Sequence, residues 1–143
     1  MAAKGSTFDN DLLKLIFNAT SIANIAIDAT SSPLTNLYVA LHTASPLAGG
    51  SQTTSEAAYS GYARVAVART SGGWTVTSNS VSPAANILFP AAASGTETLT
   101  HFSVGTASSG AGKILYFGAI SPSIGVTTGV APLLTTATAI TES

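Results

Sequence analysis

The chain has 143 residues, a formal net charge of −1 and only 8% charged residues, against about 25% in ordinary soluble domains. That balance excludes a basic surface for nucleic acid or an anionic membrane, and the absence of cysteine excludes a disulfide framework and a thiolate metal site. The length suits one domain with a substantial core, and a weakly charged surface rich in Ser, Thr and Ala favours association into an assembly.

Met1-Ala2-Ala3-Lys4-Gly5 leads into Asp9 and Asp11 rather than into a signal-peptide core. Mean hydropathy is +0.40, yet Gly, Pro, Ser and Thr break each uncharged stretch before the roughly 20 apolar residues of a spanning helix accumulate. The chain therefore reads as made in the cytosol and not embedded in a membrane.

Ser6-Thr7-Phe8-Asp9 reads as a capping box with Asp in place of the usual Glu or Gln. Phe8, Leu12, Leu15 and Ile16 recur at helical spacing, Leu13 and Phe17 widen the stripe, and together they predict a helix over 7–18. Asp9 and Asp11 in its first turn and Lys14 further on follow the order that the helix dipole favours. So wide an apolar stripe packs either on the chain's own sheet or at an interface, which makes Phe8, Leu12, Leu15 and Ile16 the candidate interface residues. Residues 18–34 carry no single signal: Ile25 and Ile27 alternate as in a short edge strand, and Thr30-Ser31-Ser32-Pro33 is a turn or linker with Pro33 as a hinge.

Residues 36–46, N-L-Y-V-A-L-H-T-A-S-P, form the strand on which the rest is organised. Leu37, Val39 and Leu41 point to one face, Tyr38, Ala40 and His42 to the other, and apolar groups on both sides predict burial on both. Residues 48–60 are a polar, exposed loop. A strand over 61–68, a hairpin-type turn at Ser71-Gly72-Gly73 and a return strand from Trp74 follow. Further strands are expected at 86–89, 96–105, 113–120 and 133–141, with a turn region at 122–129 holding a short strand near 124–127. Seven to nine short strands at this spacing predict a mainly β chain: an antiparallel β-sandwich or jelly-roll-like domain at 35–143, preceded by an N-terminal helix and connecting arm at 1–34. Trp74, Phe89, Phe102, Tyr116 and Phe117 are expected mostly in the core or at subunit contacts.

Chemistry has little to work with. No G-x-S-x-G elbow accompanies the Ser, His and Asp residues. A metal site from His42, His101 and Glu56 or Glu97 draws no support from spacing, and two strand histidines are more often bonded to backbone. G-T-A-S-S-G-A-G-K-I at 105–114 fails as a phosphate loop, because Ala107 stands where Gly is needed and Ile114 where Ser or Thr is needed. It reads as a hairpin turn. Arg64 and Arg69 are available to pair with Glu56 or Glu97, or to face a partner. The expectation is no enzyme, no catalytic, metal or cofactor-binding residue, and no cofactor.

An ordered series does carry a resemblance: LYVALHTASP at 37–46, GYAR at 61–64, Gly73-Trp74, NILFP at 86–90, THF at 100–102 and GKILYFG at 112–118, followed by Val126, Gly129 and Pro132. Over roughly residues 7–140 the chain resembles small tailed-bacteriophage virion proteins, often labelled phage tail or tail-fibre proteins, in which an apolar helix also precedes the LYVALHT strand. The resemblance implies a structural role in the virion, decorating or cementing the capsid or forming part of the tail or collar, with no catalytic residues. Its implied partners are further copies of the chain, as a homo-oligomer, and other virion proteins of capsid or tail, with no direct nucleic-acid or membrane contact. The alternative is a tail-fibre-associated module that holds a host receptor or glycan on loops such as 48–60, where Tyr59 is the one candidate aromatic.

Overall fold

The computed structural model describes residues 4–29 and 32–143. Among these residues the chain is mainly β, with 39% strand and 9% helix. The elements are α1 (Ser6–Asn18), β1 (Asn36–His42), β2 (Val65–Ala68), β3 (Trp74–Thr77), β4 (Ser80–Pro83), β5 (Ile87–Leu88), β6 (Glu97–Gly105), β7 (Ile114–Val126), β8 (Leu133–Leu134) and β9 (Ile140–Thr141). They form sheets of order β2-β1-β6-β7, β3-β4-β9 and β5-β8. The pairs β1/β6, β3/β4, β4/β9, β5/β8 and β6/β7 are all antiparallel. Among the described residues no helix is long and apolar enough to cross a membrane.

The contacts divide the chain into two compact units. One comprises the described residues of Met1–Asn36 with Val67–Asn86 and Thr135–Ser143. In it α1 packs on the β3–β4 hairpin. Leu13 and Phe17, one turn apart, are fully buried, and the Phe17 ring meets Trp74 edge-to-face at 4.9 Å, an arrangement the ring quadrupoles favour. The helix starts one residue earlier than a Ser6 capping box requires. Gly5 is the N-cap and no side chain caps it. Ser6 has become helical, so its hydroxyl no longer faces the free amides, and Asp9 is buried with Oδ1 unpartnered. At the other end Ala19 takes the left-handed conformation that commonly closes a helix, and the Thr20 amide closes on the Lys14 carbonyl, six residues back, at 3.1 Å.

The last helical turn has no basic residue of its own, and Arg69 supplies the missing charge. Its guanidinium donates to the Leu15 and Ile16 carbonyls, both at 2.8 Å, where the helix dipole is negative. It also bonds the Leu34 carbonyl at 2.8 Å and the Asp28 carboxylate at 3.0 Å. Further ties close the unit: Asn10 donates to the Ser78 carbonyl in the β3–β4 turn, and Asn79 and Glu142 exchange two bonds beside β9. Lys4 pairs with the Glu142 carboxylate.

Strand β3 is not the return of β2, as the 71–73 turn suggested, but pairs with β4. The Arg69–Gly73 segment turns too sharply for a hairpin: Thr70 accepts from both Gly73 and Trp74, and a Cβ on Gly73 would sit 2.1 Å from the Ala68 carbonyl oxygen. Only glycine fits there. The Ile25–Ile27 stretch is a tight turn bridged between Ile22 and Ala26, not an edge strand.

The second unit is Leu37–Ala66 with Ile87–Leu134. Strand β1 pairs with β6 from Tyr38↔Gly105 to His42↔His101, and β6 pairs with β7. One sheet face therefore carries Val39, Leu41, Phe102 and Val104, all buried. The opposite face carries Ala40, His42 and Ser103, none of them exposed. Burial on both sides of β1 is as the sequence predicted. Residues 133–141, expected as one strand, form two short ones, β8 paired with β5 and β9 paired with β4. Conversely β7 runs on through a cis Ser121–Pro122 bond into the predicted turn region.

Trp74, Phe89 and Phe102 are buried as expected, Tyr116 is half-buried, and Phe117 is 39% exposed on the outermost strand. Phe17→Ala and Trp74→Ala should each cost about 3–5 kcal/mol, whereas Leu88→Ala, at a position 61% exposed, should shift stability by about 0.5 kcal/mol or less, the range of ordinary surface changes. Urea unfolding of the three variants checks this order.

Candidate functional site

The most organised chemistry in the chain is a buried polar layer in the second unit, on the His42 face of the sheet. His42 is fully buried at the end of β1. Its Nδ1 lies 2.8 Å from the Thr54 carbonyl and its Nε2 lies 2.8 Å from the Ser103 hydroxyl. A carbonyl only accepts, so Nδ1 carries the proton and Nε2 accepts from Ser103. Burial pulls the His42 pKa down, against the opposing pull of the Thr54 bond and of Glu56.

Gln52, also fully buried, is the second member of the layer. It donates to the Tyr38 carbonyl at 3.1 Å and accepts from the Ala107 amide at 3.0 Å. Gly105 and Gly112 flank it so closely that a Cβ on either would come within 2.2 Å of its side chain. The two glycines are the space that Gln52 fills.

Arg64 is the third member, with a side chain only 2% exposed. It holds Glu56 through Nε at 2.6 Å and one terminal nitrogen at 2.8 Å, the two-pronged geometry of a strong charge-assisted pair. Its remaining donors reach the Ala107 and Gly110 carbonyls at 2.9 and 2.7 Å. The hydrogen bond to Glu56 raises the Arg64 pKa further. Tyr62 completes the set by donating to Glu56 and accepting from the Leu41 amide, both at 3.0 Å. Burial pushes its phenol well above the usual range.

These contacts explain the 48–60 segment. It is a loop with many exposed residues, as expected, but Gln52, Ala57 and Tyr59 are buried, so it is also fastened down. Glu97 fixes its far end by accepting from the Ala58 and Tyr59 amides at 3.0 Å. Tyr59, the aromatic expected to be free for a glycan, is 4% exposed. Its hydroxyl donates to the Pro90 carbonyl at 2.9 Å and its ring packs edge-to-face on Tyr62. The loop offers no stacking platform at that residue.

The register does bring His42, His101 and Glu56 together: His101 stands opposite His42 and Glu56 bridges to it. Most of their ligating atoms are already engaged. Both His42 nitrogens have partners, Glu56 is held by Arg64 and Tyr62, and His101 Nδ1 lies 2.9 Å from the Thr100 hydroxyl. Glu97 is on the loop amides instead. Among the described residues no group of three potential ligands could hold a metal ion. The Ser103–His42 pair is a serine beside a histidine, but both are fully buried, so a substrate has no path to the hydroxyl in this arrangement. The 105–114 stretch is the β6–β7 turn, pinned by Gln52 and Arg64. Arg69 pairs with Asp28 and not with either glutamate.

In the first unit, the residues singled out on α1 lie beside the buried stripe and not on it. Asp9, Leu13 and Phe17 face inward. Phe8 is 41% exposed, and Leu12, Leu15 and Ile16 are half-buried. At spacings of four, three and one they form an adjoining apolar face. Arg69 ties the Leu34 carbonyl and the Asp28 carboxylate to the C-terminal end of the same helix. The buried layer was missed in the sequence because Gln52 and Ser103 belong to no motif, and Tyr62, though part of GYAR, carries no local sign of its partners.

A family model described as Podophage GP4 fiber I protein gp80 matches residues 6–141 of the chain. No curated protein matches it.

Neutral His42 is the form that fits its two hydrogen bonds. Its folded pKa lies below the ordinary value of 6.5, so the unfolded chain takes up the proton first as pH falls. The stability contributed here is complete above about pH 6.5 and declines as pH drops toward the folded pKa. The midpoint of urea unfolding should therefore fall with acidification through that window. His42→Gln should flatten the dependence while lowering stability at neutral pH.

Proposed function

The chain belongs to the podophage GP4 fiber I protein gp80 family, and from that premise we propose that it is a non-catalytic building block of the phage fibre, acting as a homo-oligomer that also docks on a neighbouring virion protein. Family membership gives it a structural role in a tailed-phage virion. The single observation that carries the finer reading is the match to a fibre protein over residues 6–141, nearly the whole chain.

The geometry supports the same reading. The polar groups best arranged for chemistry are buried and satisfied among themselves. What the surface offers instead is apolar: Phe8, Leu12, Leu15 and Ile16 on α1. Burying one such side chain contributes about 1.5–3 kcal/mol, so this face can anchor a subunit without ion pairs. It is the contact we assign to docking. The helix also contributes Leu13 and Phe17 to the core, so deleting it would unfold its unit and test nothing about docking. Leu12→Glu and Leu15→Glu place a charge on the outward face alone. Each should leave the circular dichroism spectrum and unfolding midpoint close to wild type and abolish incorporation into particles, scored by immunoblot of purified virions. Normal incorporation of both variants would show that the contact lies elsewhere.

A further inference from the structure

Five non-glycine residues among those described have a positive φ: Ala19, Asn24, Leu47, Ser55 and Ser78. Leu47, with φ at 60°, is the one large apolar side chain of the five. Left-handed backbone crowds a Cβ against the following carbonyl, a cost that glycine escapes and asparagine tolerates. Burial of the side chain could offset that cost, yet Leu47 is 67% exposed. Neither backbone nor packing rewards a leucine here within the subunit. A residue that breaks a local rule with no gain inside its own fold points to a gain made outside it.

The turn that carries Leu47 is built to hold its shape. Pro46 is buried. The Leu47 amide donates to the Ser45 hydroxyl at 3.3 Å, and the Gly50 amide donates to the Leu47 carbonyl at 3.1 Å. Gly50 lies so close to the Pro46 carbonyl that a Cβ would collide with it. Just beyond, the Ser51 amide donates to the Thr54 hydroxyl at 3.0 Å, and Gln52 and the Thr54 carbonyl belong to the buried polar layer. Leu47, Ala48 and Gly49 are left as an exposed tip on a fixed base. An apolar anchor held ready in this way loses little freedom on binding. Ser51 also bridges to Lys113, which is exposed and in no ion pair among the described residues.

We propose that Leu47 is a second docking anchor, besides the α1 face, and that it enters an apolar socket on a different virion protein that carries Asp or Glu at its rim for Lys113. Charge selects the occupant. Of the chain's six Asp and Glu side chains, Asp28, Glu56 and Glu142 are paired, Glu97 is held by the loop amides and Asp9 is buried. Asp11, half-buried on α1, alone remains. A second copy therefore has little to offer Lys113, whereas a virion protein with an acidic rim satisfies both groups.

This inference rests on the virion role proposed above, and the test separates the two. Leu47→Gly and Leu47→Asn relieve the backbone and remove the anchor. Each should unfold at a urea concentration close to or above that of wild type, yet fall about tenfold or more in incorporation into virions, the effect of losing a central anchor, scored by immunoblot of purified particles. Leu47→Met, apolar and equally strained, should be incorporated like wild type, and Lys113→Glu less well. In sedimentation the purified variants should keep the wild-type mass. Normal incorporation of both Leu47→Gly and Leu47→Asn overturns the anchor and leaves the α1 contact standing, and normal incorporation of Lys113→Glu overturns the acidic rim. A smaller sedimenting mass for the Leu47 variants makes the occupant a second copy and overturns the one proposed. A wild-type chain absent from virions overturns the virion role and the anchor with it.

Discussion

The Arg64 guanidinium reaches four oxygens, two on Glu56 and one each on Ala107 and Gly110. Glu56 belongs to the loop that covers the polar face of β1, and residues 107 and 110 belong to the β6–β7 turn. With the guanidinium in place, the loop lies down, Gln52 enters the gap between Gly105 and Gly112, and His42 finds the Thr54 carbonyl. Removing the arginine would leave the Glu56 carboxylate, 16% exposed, without its partner. Breaking such a pair from one side costs about 3–5 kcal/mol, a large fraction of the stability of a domain of this size.

Arg69 plays a parallel part in the first unit, where it stands in for the basic residue that the last turn of α1 lacks. The chain has five Lys and Arg and six Asp and Glu. Three pairs, Lys4–Glu142, Arg64–Glu56 and Arg69–Asp28, and the Glu97 contact with two loop amides take up seven of these eleven. Charge in this protein is mainly an internal fastener. The surface is left to Ser, Thr, Ala and a few apolar side chains, and a surface of that kind resists association poorly. For a protein whose place is inside an assembly this is no defect. Contacts through apolar surface, as proposed for α1, would not depend on salt.

How far this could be read from the sequence depends on the range of the signal. The helix over 7–18 and the strands β1, β5 and β6 are local patterns of apolar spacing and turn residues, and the structure places them within a residue or two, with β1 ending sooner than the predicted stretch. Strand pairing is a long-range property, and there local signals mislead. Ser71-Gly72-Gly73 is a turn, but Gly73 crowds against Ala68 and β3 pairs with β4, so it is not a hairpin turn. Strand β4, Ser80–Pro83, is polar and ends in proline, so it has no apolar alternation to find. The capping box failed by one residue of register. The candidate interface residues on α1 were legible as apolar and helical, but periodicity alone does not tell the inward half of a wide stripe from the outward half. Leu13 and Phe17 turned inward because Trp74 offered a ring to pack against. The buried layer of Gln52, His42 and Ser103 left no trace in composition, since hydroxyl and amide residues are common everywhere in this chain.

Charged groups hold this subunit together, and uncharged surfaces are proposed to hold subunits to one another. Equilibrium sedimentation of the purified chain at low and high salt tests it most directly, because exposed ion pairs are largely screened as ionic strength rises from about 0.01 M to about 1 M. The account predicts an oligomer whose mass is the same, or larger, at high salt. An oligomer that dissociates as salt is added would contradict it, as would a chain that stays monomeric throughout.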